Sequence, residues 1–320
     1  MGDLILYLAA LFAPLVFALL AWRLKRTYDA RAGRRRWPLL VAGNLCVLLF
    51  LVSALFFAAE NYYRFWYDST DAFGLTRTTR RWGERHQFMN NFGVRDNVQY
   101  ALPKPSDRFR IIFLGDSFTV GHGVPEVEDR FLNRLRRTHG DRWEVQLLGR
   151  NGADTSHHYG AVQKAASAGY DADLFVMVYC PNDICDILPE WKEMHRKLEQ
   201  HADKTNFFVQ HSFAANSFYF RWIAARDPAV VPYYDTIRDA YFGPIWEQQQ
   251  QRLHTVATVC RARGAAFAVV LFPFLHDLDD PKYAEIQARM VAFWQSQGVP
   301  VLDLLPLFQE HRDETLVVNR

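Results

Sequence analysis

Gly115-Asp116-Ser117 closes a short apolar run, 109–114, and leads into Phe118-Thr119-Val120-Gly121. A continuously apolar, partly β-branched run that ends in small polar residues is the pattern of a buried parallel strand. In open α/β sheets ligands bind in the crevice outside the carboxyl ends of the strands, so Ser117 is expected at such a crevice. Gly115 is expected to let the backbone turn there. Three chemistries are compatible with this triplet. A phosphate-cradling loop calls for a lysine after its second glycine, whereas Gly121 is followed by His122. Asp and Ser are also good helix caps. The third is a nucleophilic serine, which needs the other parts of an acyl-transfer site elsewhere in the chain.

Those parts are a base and donors aimed at a developing oxyanion. The second apolar run, 144–148, ends in Gly149-Arg-Asn-Gly152-Ala-Asp-Thr155, where Gly152 offers a bare backbone N–H beside a helix start. The third, 173–179, ends near Pro181-Asn182-Asp183, where the Asn182 carboxamide is a further donor. Asp116 and Asp183 stand next to these groups as supporting acids. Glycine and Asn-Asp are ordinary turn residues when taken singly. Three such motifs at consecutive strand ends, however, point into one crevice.

The elements that position them alternate from residue 108 onward, the mark of a parallel sheet. Strands are predicted at 110–114, 144–148, 173–179, 265–272 and 299–302. Helices are predicted at 130–138, 156–168 and 281–296. A long amphipathic helix opened by Pro244 carries Trp246, Leu253, Val256, Ala257 and Cys260 on one face. The expected fold is a three-layer α/β/α domain over 106–320 with a mostly parallel five-stranded sheet, of flavodoxin-like type. A polar, helix-rich insertion occupies about 188–242. Residues 61–105 read as a connector: first aromatic, then rich in arginine and without clear periodicity, then a turn with a short strand at Asn91-Phe-Gly-Val-Arg-Asp96 and a loop at Pro103-Lys-Pro105.

Residues 1–60 differ in kind. Segments 4–22 and 38–59 are almost wholly apolar and each is about the 20 residues that a spanning helix needs. Between them lie Arg23, Lys25, Arg26, Arg31, Arg34, Arg35 and Arg36, opposed only by Asp29. Basic short loops stay in the cytoplasm, so a two-helix inner-membrane anchor is expected, with both termini and the main domain outside it. The start Met-Gly-Asp and the second span argue against a cleaved signal peptide. With 37 basic and 35 acidic residues the net charge is +2, and nothing points to a nucleic-acid partner. The four cysteines decide little: Cys180 and Cys185, which bracket Pro-Asn-Asp-Ile, are expected to be two buried thiols, with a disulfide between them as the alternative outside the cytoplasm. No Cys/His spacing fits a zinc site, and no cofactor is expected.

From about Asn91 onward the chain resembles the SGNH (GDSL-like) hydrolase superfamily, through Gly115-Asp-Ser-Phe-Thr119, Gly152 and Asn182-Asp183 in that order. Asn-Phe-Gly-Val-Arg-Asp before the first strand is similar to membrane-anchored members. The resemblance implies that Ser117 is the nucleophile and supplies the first oxyanion N–H, with Gly152 and Asn182 as the second and third donors. It implies ester hydrolysis or O-acyl transfer, here on an acylated envelope glycan or lipid held beside the membrane. It also implies an Asp-x-x-His block after the fifth strand, and no such block follows Asp303, Pro306 and Phe308. The expectation is a chain truncated before that block, with its general base beyond Arg320, so that the 320-residue form lacks activity. Asp154-Thr-Ser-His157 has the spacing but reads as a helix cap with a solvated histidine. His122 reads as a surface residue; His276, after the fourth strand at the active edge of the sheet, is the best substitute, and His311 lies in a charged tail segment. A non-catalytic glycan-binding module and a structural subunit of a membrane complex are the competing readings.

Overall fold

The computed structural model describes residues 1–31, 36–102, 104–105 and 107–317. Arg34 and Arg35 of the basic loop, Pro103 and the last three residues lie outside them. The chain begins with α1 (Gly2–Asp29), α2 (Trp37–Asn61) and α3 (Arg77–His86). The first half of the sheet follows as β1 (Phe109–Gly115), α4 (Ser117–Val120), α5 (Phe131–His139), β2 (Trp143–Gly149), α6 (Thr155–Ser167) and β3 (Leu174–Tyr179). Next come α7 (Pro189–Asp203), α8 (Phe207–His211), α9 (Phe213–Arg226) and α10 (Tyr233–Ala240). The chain then forms α11 (Pro244–Ala262), β4 (Ala266–Leu271), α12 (Pro281–Ser296), β5 (Val301–Asp303) and α13 (Leu305–Glu310). It divides into two compact units, Met1–Arg81 with Glu199–Arg226, and Trp82–Leu198 with Asp227–Arg320.

The second unit is the expected α/β/α domain. Its five strands form one parallel sheet in the order β2-β1-β3-β4-β5. Side chains alternate across a strand, and here both faces are buried. Ile112, Leu114, Phe175, Met177 and Tyr179 pack on one side with residues of α6, α11 and α12. Ile111, Phe113, Val145, Leu147, Val176 and Val178 pack on the other with Val120 of α4 and Leu132 of α5. Double burial is why these strands read as unbroken apolar runs rather than as alternation. The buried stripe of α11 is the predicted one, Trp246, Leu253, Val256, Ala257 and Cys260, with Gln249 added. Cys180, Cys185 and Cys260 are buried free thiols, and Cys46 is also free.

The first unit holds α1 and α2, 28 residues and, with the π-type turn Tyr62–Trp66, 30 residues long. At 1.5 Å rise per residue each exceeds the roughly 30 Å of a hydrocarbon core. Leu8, Phe12, Leu15, Leu19, Leu48 and Leu55 are exposed along them, as helices meeting lipid require. At the end of the hairpin away from the connecting loop, Tyr7 donates to Asn61 Oδ1 at 2.9 Å. There Glu60, at the close of α2, is fully buried. Its carboxylate accepts from Ser212 Oγ (2.6 Å), from the backbone N–H groups of Phe213 and Ala214 (3.1 and 2.9 Å), and from Arg64 (2.9 Å). The anion thus caps the N-terminus of α9, where the helix dipole favours negative charge.

The connector differs from expectation. α3 lies in the stretch read as lacking periodicity, because of its ten residues only Trp82 is large and apolar; that ring is fully buried. A helix that buries one indole and two threonines among arginines leaves no stripe to detect.

Candidate active site

β1 is the strand at which the sheet reverses its order of growth, with β2 on one side and β3 on the other. The crevice outside such a switch point is the usual ligand site of open α/β sheets. Ser117 follows β1, Gly152 follows β2 and Asn182 follows β3, so all three sequence-predicted residues belong to adjacent strand ends.

Two glycines set the spacing. Gly115 and Gly149 are register partners at the ends of β1 and β2. A Cβ on Gly149 would collide with the Gly115 carbonyl, and one on Gly115 with the Thr119 side chain. Gly115 is therefore needed for close approach and not for a left-handed turn, since its φ is not positive. Gly152 does require one, at φ +68°, a conformation natural to glycine.

Asp116 caps α4, accepting from Phe118 N–H at 3.0 Å, which leaves Ser117 as the first residue of that helix. The other Asp116 oxygen accepts from Asn182 Nδ2 at 3.1 Å. This bond ties the tip of β3 to the residue preceding the serine. Asn182 Oδ1 is buried without a hydrogen-bond partner among the described residues. On the β2 side, Asn151, next to Gly152, is 3.1 Å from His122 Nδ1. His122 is half-buried, its ring edge-on to Trp82 at 5.4 Å, and it joins the loops after β1 and β2 instead of lying on the surface as expected.

The turn carrying Asn182 is held by a buried polar chain. Asp183 accepts from Cys180 N–H at 3.3 Å and lies 3.2 Å from His158 Nε2. Thr155 Oγ1 donates to the Asp183 carbonyl, Gln249 Nε2 to Thr155 Oγ1, and Tyr241 OH to the Pro181 carbonyl. His158 is a residue that sequence reasoning missed. It is one of a His157-His158 pair at the start of α6, and only its burial distinguishes it. His157 is the partly exposed member, and Asp154 caps α6 by accepting from its N–H at 3.0 Å.

Asp116, Asp183 and His158 are fully buried together, and their protonation is coupled. Burial pushes Asp116 up to about 7, and the negative charge of Asp183 adds to the shift. Burial also raises Asp183, against the pull of His158. Burial opposes the charged form of His158, but the Asp183 carboxylate outweighs it and the imidazole is raised. All three shifts have one sign for stability. Between the unfolded and folded pKa values the native state keeps protons that the unfolded chain has released, so stability falls as pH rises. For Asp116 that window runs from the ordinary carboxylate range to about 7. Asp116→Asn removes one of these titrations. We expect it to be more stable than wild type at pH 8, by on the order of 2–4 kcal/mol, and close to wild type at pH 4.5. Thermal unfolding across pH 4.5–8 checks this, and parallel curves for the two proteins would contradict it.

Asn91-Phe-Gly-Val-Arg-Asp96 proves to be a clamp on the loop after α4. Arg95 is 1% exposed, with Trp82 under its guanidinium at 5.1 Å. It donates to the carbonyls of His86, Val120, Gly121, Val124 and Pro125 at 2.7–3.2 Å. Asp96 is held by Arg136 (3.0 and 2.9 Å) and by Tyr100 OH (2.5 Å). Arg95→Met would remove a donor from all five carbonyls, of which Gly121 keeps its bond from Val124 N–H, at a cost of about 2–4 kcal/mol. The expected result is a lower unfolding midpoint with faster amide exchange at 120–125; unchanged exchange there would show that Arg95 does not hold the loop.

Four histidines have carboxylate partners. His158 is on Asp183, His157 on Asp154, His311 on Glu314, and His276 lies 3.3 Å from Asp277 beside the rings of Tyr234 and Phe274. Asp303 accepts from Leu305 N–H at 3.0 Å and so caps the chain at the start of α13. Among the described residues no group of acidic, histidine and cysteine side chains is placed to hold a metal.

No family model matches the chain, and no curated protein matches it. Among solved structures it is similar to the crystal structure of TesA, at 12% identity over 60% of this chain and 76% of that one, with a TM-score of 0.36. It is also similar to a member of the lipolytic protein G-D-S-L family from Veillonella parvula DSM 2008, at 12% identity over 65% of this chain and 85% of that one, with a TM-score of 0.40.

Proposed function

We propose that the sheet-bearing unit is an esterase-type hydrolase or O-acyltransferase that works through an acyl-enzyme on Ser117. The observation that supports this reading is the succession of Ser117, Gly152 and Asn182 just after the adjacent strands β1, β2 and β3. In the proposed reaction the Ser117 hydroxyl attacks an ester carbonyl and passes its proton to a general base. The N–H groups of Ser117 and Gly152 and the second Nδ2 hydrogen of Asn182 would receive the negative oxygen, each such donor contributing roughly 3 kcal/mol. Collapse releases the alcohol, and water or an acceptor hydroxyl then takes the acyl group.

The base in this proposal is an imidazole that accepts the Ser117 proton. The substrate class is an acylated envelope glycan or lipid, because the two apolar helices would hold the site beside a membrane. The proposed orientation places both termini and the sheet-bearing unit on the outer side, from the basic loop between the helices.

A non-catalytic binding module is the second reading. The turning of the Asn182 amide toward Asp116 favours it. Reaction of the folded protein with a serine-directed fluorophosphonate separates the two. Covalent labelling that ends on Ser117→Ala supports the enzyme, and a folded, unlabelled protein with retained glycan affinity supports the binder.

A further inference from the structure

The unit that contains α1 and α2 also carries an aromatic face that its own packing leaves uncovered. On α9 the residues turned outward recur at helical spacing: Phe218, Arg221, Trp222, Ala225 and Arg226 are exposed, while Ala214, Ser217, Phe220 and Ile223 are buried. Phe218 and Trp222 are each 57% exposed, and Phe207 and Phe208 of α8 are 53% and 46% exposed. Soluble proteins seldom present large aromatic side chains to water in such a group.

The packing of these helices fixes their height along the membrane hairpin. Phe208 stacks on Phe56 of α2 with ring centroids 5.2 Å apart. Phe56 precedes the buried Glu60 by four residues, about 6 Å along the helix axis. His211, at the end of α8, lies 2.6 Å from Asp3 at the start of α1. Phe218 meets Tyr63 edge-on at 5.5 Å, and Arg221 lies over the Tyr67 ring at 5.3 Å. These contacts put α8 and α9 beside the first turn of α1 and the last turns of α2. Aromatic side chains collect at that level on both sides of a membrane, and long basic ones extend from there to lipid headgroups. The Glu60 carboxylate on the first N–H groups of α9 holds the arrangement firmly.

We propose that α8 and α9 form an interfacial membrane patch. Phe207, Phe208, Phe218 and Trp222 enter the headgroup–acyl boundary of the bilayer that α1 and α2 cross, with Arg221 and Arg226 among the lipid phosphates. A helix with an apolar aromatic edge and basic flanks lies in the interface plane with its apolar face about 5–10 Å deep. The occupant is lipid because the face is continuous with side chains of the hairpin, through Phe56 and Tyr63. The inference rests on α1 and α2 spanning a membrane and is independent of the chemistry at Ser117.

The test uses the whole chain with Cys46→Ser, reconstituted in phosphatidylcholine–phosphatidylglycerol vesicles. Spin labels are placed singly through Phe207→Cys, Phe218→Cys and Trp222→Cys, with Gln251→Cys on α11 as the water-facing control. The expected result is high collision with oxygen and at least a fivefold lower collision with aqueous nickel chelate than at 251. Labels at 218 and 222 as open to nickel as the control would overturn the proposal. So would labels shielded from oxygen and nickel alike, which would mean a protein partner or a second copy on that face. Trp222→Phe gives a check without a label. Wild type should lose more fluorescence than this variant in brominated lipid, and equal quenching would also overturn the proposal.

Discussion

Replacing Ser117 by alanine is expected to lower ester turnover by the full-length protein at least about a thousandfold, leaving only the rate that binding and oxyanion donors supply without a nucleophile. The fold should not change. Ser117 is half-buried, and the cap of α4 belongs to Asp116, which keeps its bond to Phe118 N–H in the variant. The unfolding free energy should therefore stay within about 0.5 kcal/mol of wild type, as for substitutions outside packed or bonded positions. Steady-state hydrolysis of a p-nitrophenyl acyl ester by both proteins checks the rate. Turnover within a few-fold of wild type would remove Ser117 from the chemistry.

Asn182→Ala is expected to cost about 10²–10³ in kcat with little change in KM, the pattern of a donor that acts on the transition state. One of its amide hydrogens is committed to Asp116, and its oxygen has no partner among the described residues. Protonated Asp116 could donate to that oxygen if the amide turned over, which would aim Nδ2 away from Asp116. Asn182→Asp should be worse than alanine, because it adds a third carboxylate beside Asp116 and Asp183, both already raised by burial. The comparison of kcat and KM for the two variants is the check. A rise in KM alone, with kcat preserved, would make Asn182 a substrate-binding residue and not an oxyanion donor.

The sheet was legible because double burial writes itself into composition. Ile111 to Leu114 and Phe175 to Tyr179 are apolar on both faces, and glycine or small polar residues mark where they stop. The boundaries shifted by a residue or two at strand ends, where hydrogen bonding to neighbours decides and side-chain type does not. The positions of Ser117, Gly152 and Asn182 after successive strands were legible because the apolar runs stop just before them, whereas the close approach that requires Gly115 and Gly149 was not. His158 was not, because its role comes from tertiary burial against Asp183 and nothing in its neighbours announces that. Nor was the clamp formed by Arg95, since an arginine in a turn motif gives no sign that it will meet five carbonyls from distant residues. α8 and α9 were legible only as part of a helix-rich stretch, because large apolar residues occur on both their buried and their exposed sides, which blurs the usual stripe.

The most direct measurement is the site of covalent modification by a fluorophosphonate, located by tandem mass spectrometry of the folded protein. Trypsin releases residues 111–130 as a peptide in which Ser117 is the sole serine. The account predicts one adduct, on that residue, absent after heat unfolding and absent in Ser117→Ala. An adduct carried by a different peptide, or the same extent of labelling in folded and unfolded protein, would contradict it.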